Sequence, residues 1–479
     1  MNNINRNQYL ISVDFFRYLP SRFYVITNIL FILPLFSKTL SVNEMGIFQI
    51  GISLLNLICT IFFDWVSKSV LRFYNESKLK NELKTFFSNI FILFIINYLI
   101  LLILYILFQE QLCKILHTNN VTIISIMILV IPCIIRQFLY QMLRLLNKTI
   151  LYTVSIIVYQ ILLVAITLIL IQNKIHNVTA IFTAMAIAIT IIDILIVKYI
   201  SSKVNFCITN YKNQFVLKFL KYGIPLVCTN FFIWSLLNYN KYYFRIAGDF
   251  NATGELALAA FITGSILTAI FSTLLFAIFP RIIKRYATKR PIKPILTDTI
   301  KLYFVYFLPI TMLFCLFPQS ILNIFSNNQY STTVYVLPIF AIVIFIHELG
   351  KIINIKYHLL NKNYIDTIVA GFSGITCVII NGFLAQRYGI VGSAIAMLIG
   401  FLLWIIINAN ITSPKMSYIN WHKAFKTILL CIIVCFIAYF IAIQLTQQNS
   451  SIFSQSLQLI IDLIICYLLL FQFRKIILR

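Results

Sequence analysis

The 479-residue chain is 61% hydrophobic and 11% charged, and its mean hydropathy is +0.93. A soluble domain cannot cover its surface with so few charges, so this composition excludes an ordinary soluble protein and indicates a membrane protein. The formal net charge of +25 would suggest nucleic-acid binding in a soluble chain. Here the basic residues lie in short segments beside apolar runs, so they indicate membrane topology and no nucleic-acid partner.

Apolar runs follow one another along the chain from Phe15 to Phe473 and leave no room for a soluble domain. A helix needs about 20 apolar residues to cross a hydrocarbon core. Interrupting the runs at their turn signals predicts about fourteen spans in an all-α polytopic membrane protein. The predicted spans are 15–36, 45–65, 86–108, 121–146, 151–171, 178–200, 222–246, 255–279, 302–317, 333–357, 365–385, 390–411, 424–443 and 452–473.

The positive charges predict the orientation of the spans. The start of the chain has no short apolar region followed by a small-residue cleavage site, so we expect the first span to be retained. Placing the N-terminus inside puts most of the 38 Lys and Arg residues on the cytoplasmic side, including the basic segments 68–84 and 281–293. We therefore expect a multi-pass protein of the bacterial plasma (inner) membrane, with both termini in the cytoplasm.

Two short motifs recur at nearly the same sequence offset, which predicts an internal repeat. The recurring segments are Leu-Leu-Asn-Lys at 145–148 and 359–362, and Asn-x-x-Gly at 43–46 and 251–254. Two tandem six-helix bundles of the same orientation follow, with a cleft between them and two further helices at the C-terminus. The predicted domains are 1–212, 213–414 and 415–479.

Ionisable residues inside spans indicate function, because a charge in hydrocarbon costs a few kcal/mol or more without a partner. Span one carries Arg17 and Arg22, and the alternative for both is that they reach the cytoplasmic headgroups. Span four carries Arg136. Span seven offers Asn230, Lys241 and Arg245 along one helix face, and the alternative for the two cations is an anchor at the outer interface.

Span ten and the acidic residues add further candidates. His347, Glu348 and Lys351 lie together in span ten, where Glu348 and Lys351 could simply pair with each other. Asp64, near the inner end of span two, could pair with Lys68 or couple transport to an ion. Two more intramembrane carboxylates, Asp193 and Asp462, could be helix partners or ion-coupling groups.

The candidates inside the spans are mainly cationic, which favours an anionic ligand such as a pyrophosphate. The ten scattered cysteines indicate neither a disulfide framework nor a metal site, and no cofactor is expected. The chain has no phosphate-binding loop of the P-loop type, so it is not expected to hydrolyse ATP. The longest outer loop, about 109–120, offers a poor acid–base set, so we expect no catalytic residue and no enzyme.

Five segments together resemble the polysaccharide-biosynthesis branch, of the O-antigen flippase type, of the multidrug, oligosaccharidyl-lipid and polysaccharide (MOP) exporter superfamily. Their order and spacing carry the resemblance, which covers nearly the whole chain. The segments are 40–46 (Leu-Ser-Val-Asn-Glu-Met-Gly), 69–74 (Ser-Val-Leu-Arg-Phe-Tyr), 222–226 (Tyr-Gly-Ile-Pro-Leu), 279–281 (Phe-Pro-Arg) and 388–396 (Tyr-Gly-Ile-Val-Gly-Ser-Ala-Ile-Ala).

The resemblance implies alternating access and transport of an undecaprenyl-pyrophosphate-linked oligosaccharide to the outer leaflet. It also implies that basic residues of the first helix, here Arg17 and Arg22, contact the pyrophosphate. Membrane lipids, a polysaccharide polymerase and chain-length machinery are the implied partners. The alternatives are a flippase for a peptidoglycan or teichoic-acid precursor, a drug antiporter of the same superfamily, and a membrane-embedded polymerase or ligase.

Overall fold

The computed structural model of the protein describes residues 31–145, 148–172, 178–201, 213–268, 291–326, 329–360, 362–411, 421–445 and 452–472, with isolated residues between 270 and 286. All regular structure in these ranges is helical, which confirms the predicted all-α fold. Helices satisfy every backbone polar group within the segment, as a bilayer without water requires.

The described ranges contain fifteen α-helices, numbered in chain order. They are α1 Leu33–Thr39, α2 Val42–Ile58, α3 Trp65–Leu79, α4 Leu83–Leu116, α5 Asn120–Leu145, α6 Thr149–Gln172, α7 Val178–Ser201, α8 Asn213–Ile246, α9 Phe250–Thr263, α10 Lys293–Leu316, α11 Pro318–Phe325, α12 Thr333–Leu359, α13 Asn363–Asn410, α14 Trp421–Leu445 and α15 Ile452–Gln472. A π-helical turn, Cys59–Asp64, joins α2 to α3, and another, Gly264–Thr268, follows α9.

The described helices agree with predicted spans two to fourteen. Within the residues that the structure describes, ten helical stretches are long and apolar enough to cross a membrane. Helices α14 and α15 contain the shorter apolar stretches Leu429–Ile441 and Gln458–Leu470. One of the ten, α13, holds two predicted spans. Most of predicted span one, 15–36, lies outside the described residues.

Helix α13 is interrupted at Gly389. Its 48 residues would extend about 72 Å as one straight helix, more than twice the roughly 30 Å of a hydrocarbon core. At Gly389 the backbone has φ 57° and ψ −136°, a conformation that is essentially restricted to glycine. The Ser393 hydroxyl hydrogen-bonds Asn381 across the break at 2.5 Å, so the two halves run side by side. Predicted spans eleven and twelve are therefore the two arms of a hairpin.

The chain divides into two compact units. Residues Thr39–Ala257 form the N-terminal unit, and the described parts of Met1–Lys38 and Leu258–Arg479 form the C-terminal unit. Helix α8 packs against α2, α3 and α4 and so belongs to the N-terminal unit. The domain boundaries at 212 and 414 come from the sequence repeats, and they stay a prediction.

Aromatic side chains form part of the core of the C-terminal unit. Tyr303 of α10 donates to the Phe345 carbonyl at 2.8 Å, and the Phe271 and Phe307 rings lie 4.6 Å apart beside it. Helices α14 and α15 pack on α10, where the Tyr467 hydroxyl of α15 donates to the Tyr306 carbonyl at 2.6 Å. The last two helices are thus attached to the core of this unit.

The repeated Asn-x-x-Gly motif forms a close helix contact in the N-terminal unit. Helix α2 begins with a capping box, in which Ser41 and Glu44 bond each other's backbone N–H groups. One turn later, a Cβ built on Gly46 would lie 3.3 Å from the backbone nitrogen of Gly254 in α9. A Cβ on Gly254 would overlap the carbonyl oxygen of Val42. Corresponding glycines of the two repeats therefore face each other where the helices cross.

At the basic end of α3, Glu76 joins two helices. Its carboxylate accepts from Lys218 of α8 at 2.7 Å and from Lys80 at 3.1 Å. These hydrogen bonds lower the pKa of Glu76 below its ordinary value. The bridge is exposed, so it contributes orientation more than stability.

The glycine contact predicts a difference between two alanine substitutions. We expect Gly254→Ala to lower the free energy of unfolding by about 1–3 kcal/mol, because the added methyl group must push α2 away. Gly264→Ala is the control, because nothing lies within 4 Å of a Cβ there. Thermal unfolding in detergent measures both. Equal melting temperatures for the two variants would contradict the contact.

Candidate functional site

The structure describes six of the eight predicted substrate-binding residues. Arg17 and Arg22 lie outside the described residues, so their roles stay predictions. Arg136, Asn230, Lys241 and Arg245 belong to the N-terminal unit. His347 and Lys351 belong to the C-terminal unit, as does the predicted ion-coupling residue Glu348.

In the C-terminal unit, Lys351 and Glu348 form an ion pair on α12. The Lys351 ammonium lies 2.6 Å from the carboxylate of the buried Glu348, and the His347 ring nitrogen Nδ1 lies 3.8 Å from the same oxygen. The Lys351 side chain is 37% exposed, so its remaining donors are accessible. Glu348 and Lys351 thus pair with each other, which was the alternative to a role in binding. Their role in binding or ion coupling stays a prediction.

The C-terminal unit contains a second polar cluster that the sequence analysis did not predict. One carboxylate oxygen of Asp366 accepts from the Asn354 and Asn408 side-chain amides at 2.8 and 3.2 Å and from the Trp404 indole at 3.0 Å. The buried Lys356 donates to the backbone carbonyl of Asn408 at 2.5 Å. In the sequence, the only signal for this cluster was that Lys356 and Asp366 are ionisable residues at the ends of apolar runs. The cluster ties α12 to both arms of the α13 hairpin.

Arg245 of α8 is bonded entirely within the N-terminal unit. It is 1% exposed, and it donates to the Leu116 and His117 carbonyls at 2.7 and 2.6 Å and to the Asn43 side chain at 2.6 Å. Its guanidinium also lies 4.3 Å from the centre of the Phe250 ring. Carbonyls at a helix C-terminus lack intrahelical donors, so Arg245 caps α4. Arg245 therefore has a structural role at the end of α4, and its predicted role in substrate binding stays a prediction.

One turn earlier on α8, Lys241 is buried with a neutral partner. It is 3% exposed, and its ammonium donates to the Asn238 side-chain oxygen at 2.9 Å. Among the described residues, no carboxylate lies within ion-pair distance of it. On the same helix, Trp234 donates to the Ser53 carbonyl of α2 at 2.8 Å. The half-buried Asn230 lies one turn before Trp234.

Asp64 stands in a polar network between α3 and α5. It pairs with Lys68 at 3.3 Å, as expected from their spacing, and it accepts a hydrogen bond from the Gln137 side chain. The carboxylate is therefore already occupied by two donors. Its predicted role in ion coupling stays untested.

Beside Gln137, Arg136 stacks on an aromatic ring. The guanidinium lies 4.5 Å from the centre of the Tyr159 ring of α6. In the described part of the chain, no carboxylate lies within ion-pair distance of it. Asp193 of α7 is within its electrostatic reach but is buried with both carboxylate oxygens lacking a hydrogen-bond partner. This region therefore holds a cation and an anion that do not neutralise each other by direct contact.

Four of the described cations were predicted to bind the substrate. Lys351 has a carboxylate partner and Arg245 has backbone carbonyl partners, whereas Lys241 contacts a side-chain amide and Arg136 an aromatic ring. An unpaired cation in a water-poor interior is costly, so the last two are suited to meet an anion brought by a ligand. Within the described residues, no group of three His, Cys, Asp or Glu side chains could hold a metal ion.

The comparisons with known proteins identify the fold. No protein-family model matches the sequence, and no curated protein sequence matches it. The structure matches the lipid II flippase MurJ in an inward closed conformation with a TM-score of 0.71 and 16% identity, over 98% of this chain and 100% of that chain. An inward-facing multidrug resistance MATE family transporter of the MOP superfamily matches with a TM-score of 0.61 and 14% identity, over 84% of this chain and 92% of that chain.

The Vibrio cholerae MATE transporter VcmN in its bent form matches with a TM-score of 0.59 and 14% identity, over 89% of this chain and 99% of that chain. Identities this low show the fold alone. The chain has the fold of MOP transporters, as the sequence resemblance implied. The three proteins compared here are named as a flippase and as transporters.

Replacing the two buried cations of α8 is expected to have different effects on stability. We expect Arg245→Gln to lower the free energy of unfolding by about 3 kcal/mol, because buried carbonyls of α4 lose their donors. We expect Lys241→Gln to leave stability unchanged or raise it, because a buried charge without a counter-ion is removed.

Thermal unfolding in detergent measures both effects, with the exposed Lys221→Gln on the same helix as the control. A loss of stability in Lys241→Gln as large as that in Arg245→Gln would show that Lys241 is also a structural anchor.

Proposed function

We propose that the protein is a secondary transporter that flips an undecaprenyl-pyrophosphate-linked oligosaccharide across the bacterial plasma membrane by alternating access. The observation that carries this proposal is that two cations, Arg136 and Lys241, have no carboxylate within ion-pair distance among the described residues. Both lie in membrane-spanning helices, where a cation calls for an anion. A pyrophosphate supplies negative charge, and a cationic drug does not.

The membrane potential contributes to the driving force in this proposal. An anion moving outward from a negative interior gains about 2.3 kcal/mol per charge per 100 mV. The candidate coupling carboxylates Asp64 and Glu348 are both paired with lysines. Transport driven by the potential requires no further carboxylate, and it fits a chain without an ATP-binding loop.

The location and partners of the protein belong to the same proposal. Both termini face the cytoplasm, because the basic segments then lie on the side that positive charges favour. The flipped oligosaccharide becomes available to a polysaccharide polymerase and its chain-length machinery at the outer leaflet.

A flippase for a lipid-linked peptidoglycan precursor is the second candidate. It is favoured by the match to the lipid II flippase, which covers 98% of this chain, whereas the two MATE transporters compared cover 84% and 89%. Both candidate substrates share the polyprenyl chain and the pyrophosphate. The same cations therefore suit the pyrophosphate of either substrate, and the two candidates differ in the sugar that is attached.

Gene deletion with complementation tests the proposal. We expect deletion to abolish surface polysaccharide and to leave lipid-linked oligosaccharide on the cytoplasmic leaflet. We expect Arg136→Gln and Lys241→Gln to restore less than about a tenth of the wild-type surface glycan, which corresponds to roughly 1.4 kcal/mol of lost interaction. Leaflet-specific labelling of the lipid-linked sugar and quantification of surface glycan are the measurements.

Lys221→Gln is the matched control, since it removes an exposed cation from the same helix as Lys241. All variants are compared at equal membrane abundance. Lysis with accumulated peptidoglycan precursor would select the second candidate. Unchanged glycan and unchanged precursors, together with a changed drug susceptibility, would replace both with a drug antiporter.

A further inference from the structure

A deep apolar groove lies on the N-terminal unit, outside the polar clusters described above. It has a volume of about 560 Å³, within the range of sites that hold whole ligands. Helices α4, α5 and α7 form its sides, and Phe63 of the π-helical turn contributes to its floor. Almost all of its surface is apolar.

Aromatic rings give the groove a rigid wall. Phe94 meets Phe138 edge to face at 5.9 Å, and Phe63 lies 6.2 Å from Phe94 on the other side. Phe87 packs on Phe138 at right angles, with 6.5 Å between the ring centres. Interlocked rings have few alternative rotamers, so the groove is preformed.

The groove opens toward the lipid. Its rim is made of exposed apolar residues on three spanning helices, among them Phe91, Leu99, Ile131 and Val197. Helix α4 leaves most of its apolar surface uncovered within the unit. Side chains exposed at this depth face hydrocarbon, so the occupant of the groove is an apolar chain.

Helix α5 separates this groove from polar groups. Ile134, Ile135 and Phe138 line the groove, whereas Arg136 and Gln137, between them in sequence, contact Tyr159 of α6 and Asp64. A helix with its side chains is about 10 Å across. An amphiphile can therefore leave its apolar chain in the groove while its charged head lies on the Arg136 side of α5.

We propose that this groove binds the polyprenyl chain of the lipid-linked substrate, an inference that rests on the function proposed above. Only the head of such a substrate must cross the membrane, and the chain stays in hydrocarbon throughout. Isoprene units are apolar, as is almost all of the groove's surface. The exposed apolar residues Phe372, Ile375 and Ile379 of α13 provide an apolar surface outside the groove for comparison.

Photocrosslinking from two matched phenylalanine positions tests the proposal. Phe91 at the groove rim is 48% exposed, and Phe372 on α13 is 57% exposed. Each is replaced in turn, Phe91→p-benzoylphenylalanine and Phe372→p-benzoylphenylalanine, in the full-length protein. The proteins are illuminated in vesicles of phosphatidylethanolamine and phosphatidylglycerol that contain undecaprenyl phosphate. Mass spectrometry identifies the attached lipid.

We expect polyprenyl adducts to be enriched at position 91 and acyl adducts to dominate at position 372. A rim-blocking variant, Leu99→Trp, should lower the polyprenyl adduct at position 91 about tenfold, as expected from losing contact with roughly two methylene groups. Ile375→Trp, at a position on α13 that is 59% exposed against 52% for Leu99, should leave the polyprenyl adduct at position 91 unchanged. Because both residues face lipid, neither substitution disturbs the core.

Equal polyprenyl-to-acyl ratios at positions 91 and 372 would overturn the groove assignment and leave the proposed transport untouched. Failure of the proposed substrate gives a different result from failure of the groove assignment. Enrichment at position 91 in a protein whose deletion leaves surface glycan intact would support the groove and overturn the oligosaccharide as the head of the substrate.

Discussion

A hydrocarbon core contains no water, so each charge carried by a spanning helix needs an oxygen, a counter-ion or a ligand close by. Two buried cations in this protein use helix ends for that purpose. Arg245 donates to the last carbonyls of α4, and Lys356 donates to the carbonyls of Asn408 and Ile411 at the end of α13. Each stabilises a terminus that would otherwise present unsatisfied acceptors and a partial negative charge.

The same constraint separates structural charges from functional ones. The carboxylates of Glu348 and Asp64 are each matched by a lysine, and Asp366 is held by three N–H donors. Among the described residues, Arg136 and Lys241 have no carboxylate within ion-pair distance. In the proposed function, cations without a carboxylate partner retain a binding free energy that an anionic substrate can use.

The segments that carry the family resemblance act in packing. Asn43 accepts from Arg245, Gly46 lies against α9, and Gly389 breaks α13 into a hairpin. None of these contacts depends on what is transported. The resemblance therefore bears on the fold, and the proposed substrate rests on the cations and the aromatic groove.

The sequence by itself determined the membrane class, the positions of spans two to fourteen and the pairings Asp64–Lys68 and Glu348–Lys351. Hydropathy and helical spacing are local properties, and they suffice for these features. Only the tertiary structure decided which cations lack partners, because Arg245 finds its acceptors at residues 43, 116 and 117. It also revealed the Asp366 cluster and the groove, whose walls come from distant helices. Contacts between residues far apart in sequence leave no periodic signal, so burial and pairing there depend on how the helices pack.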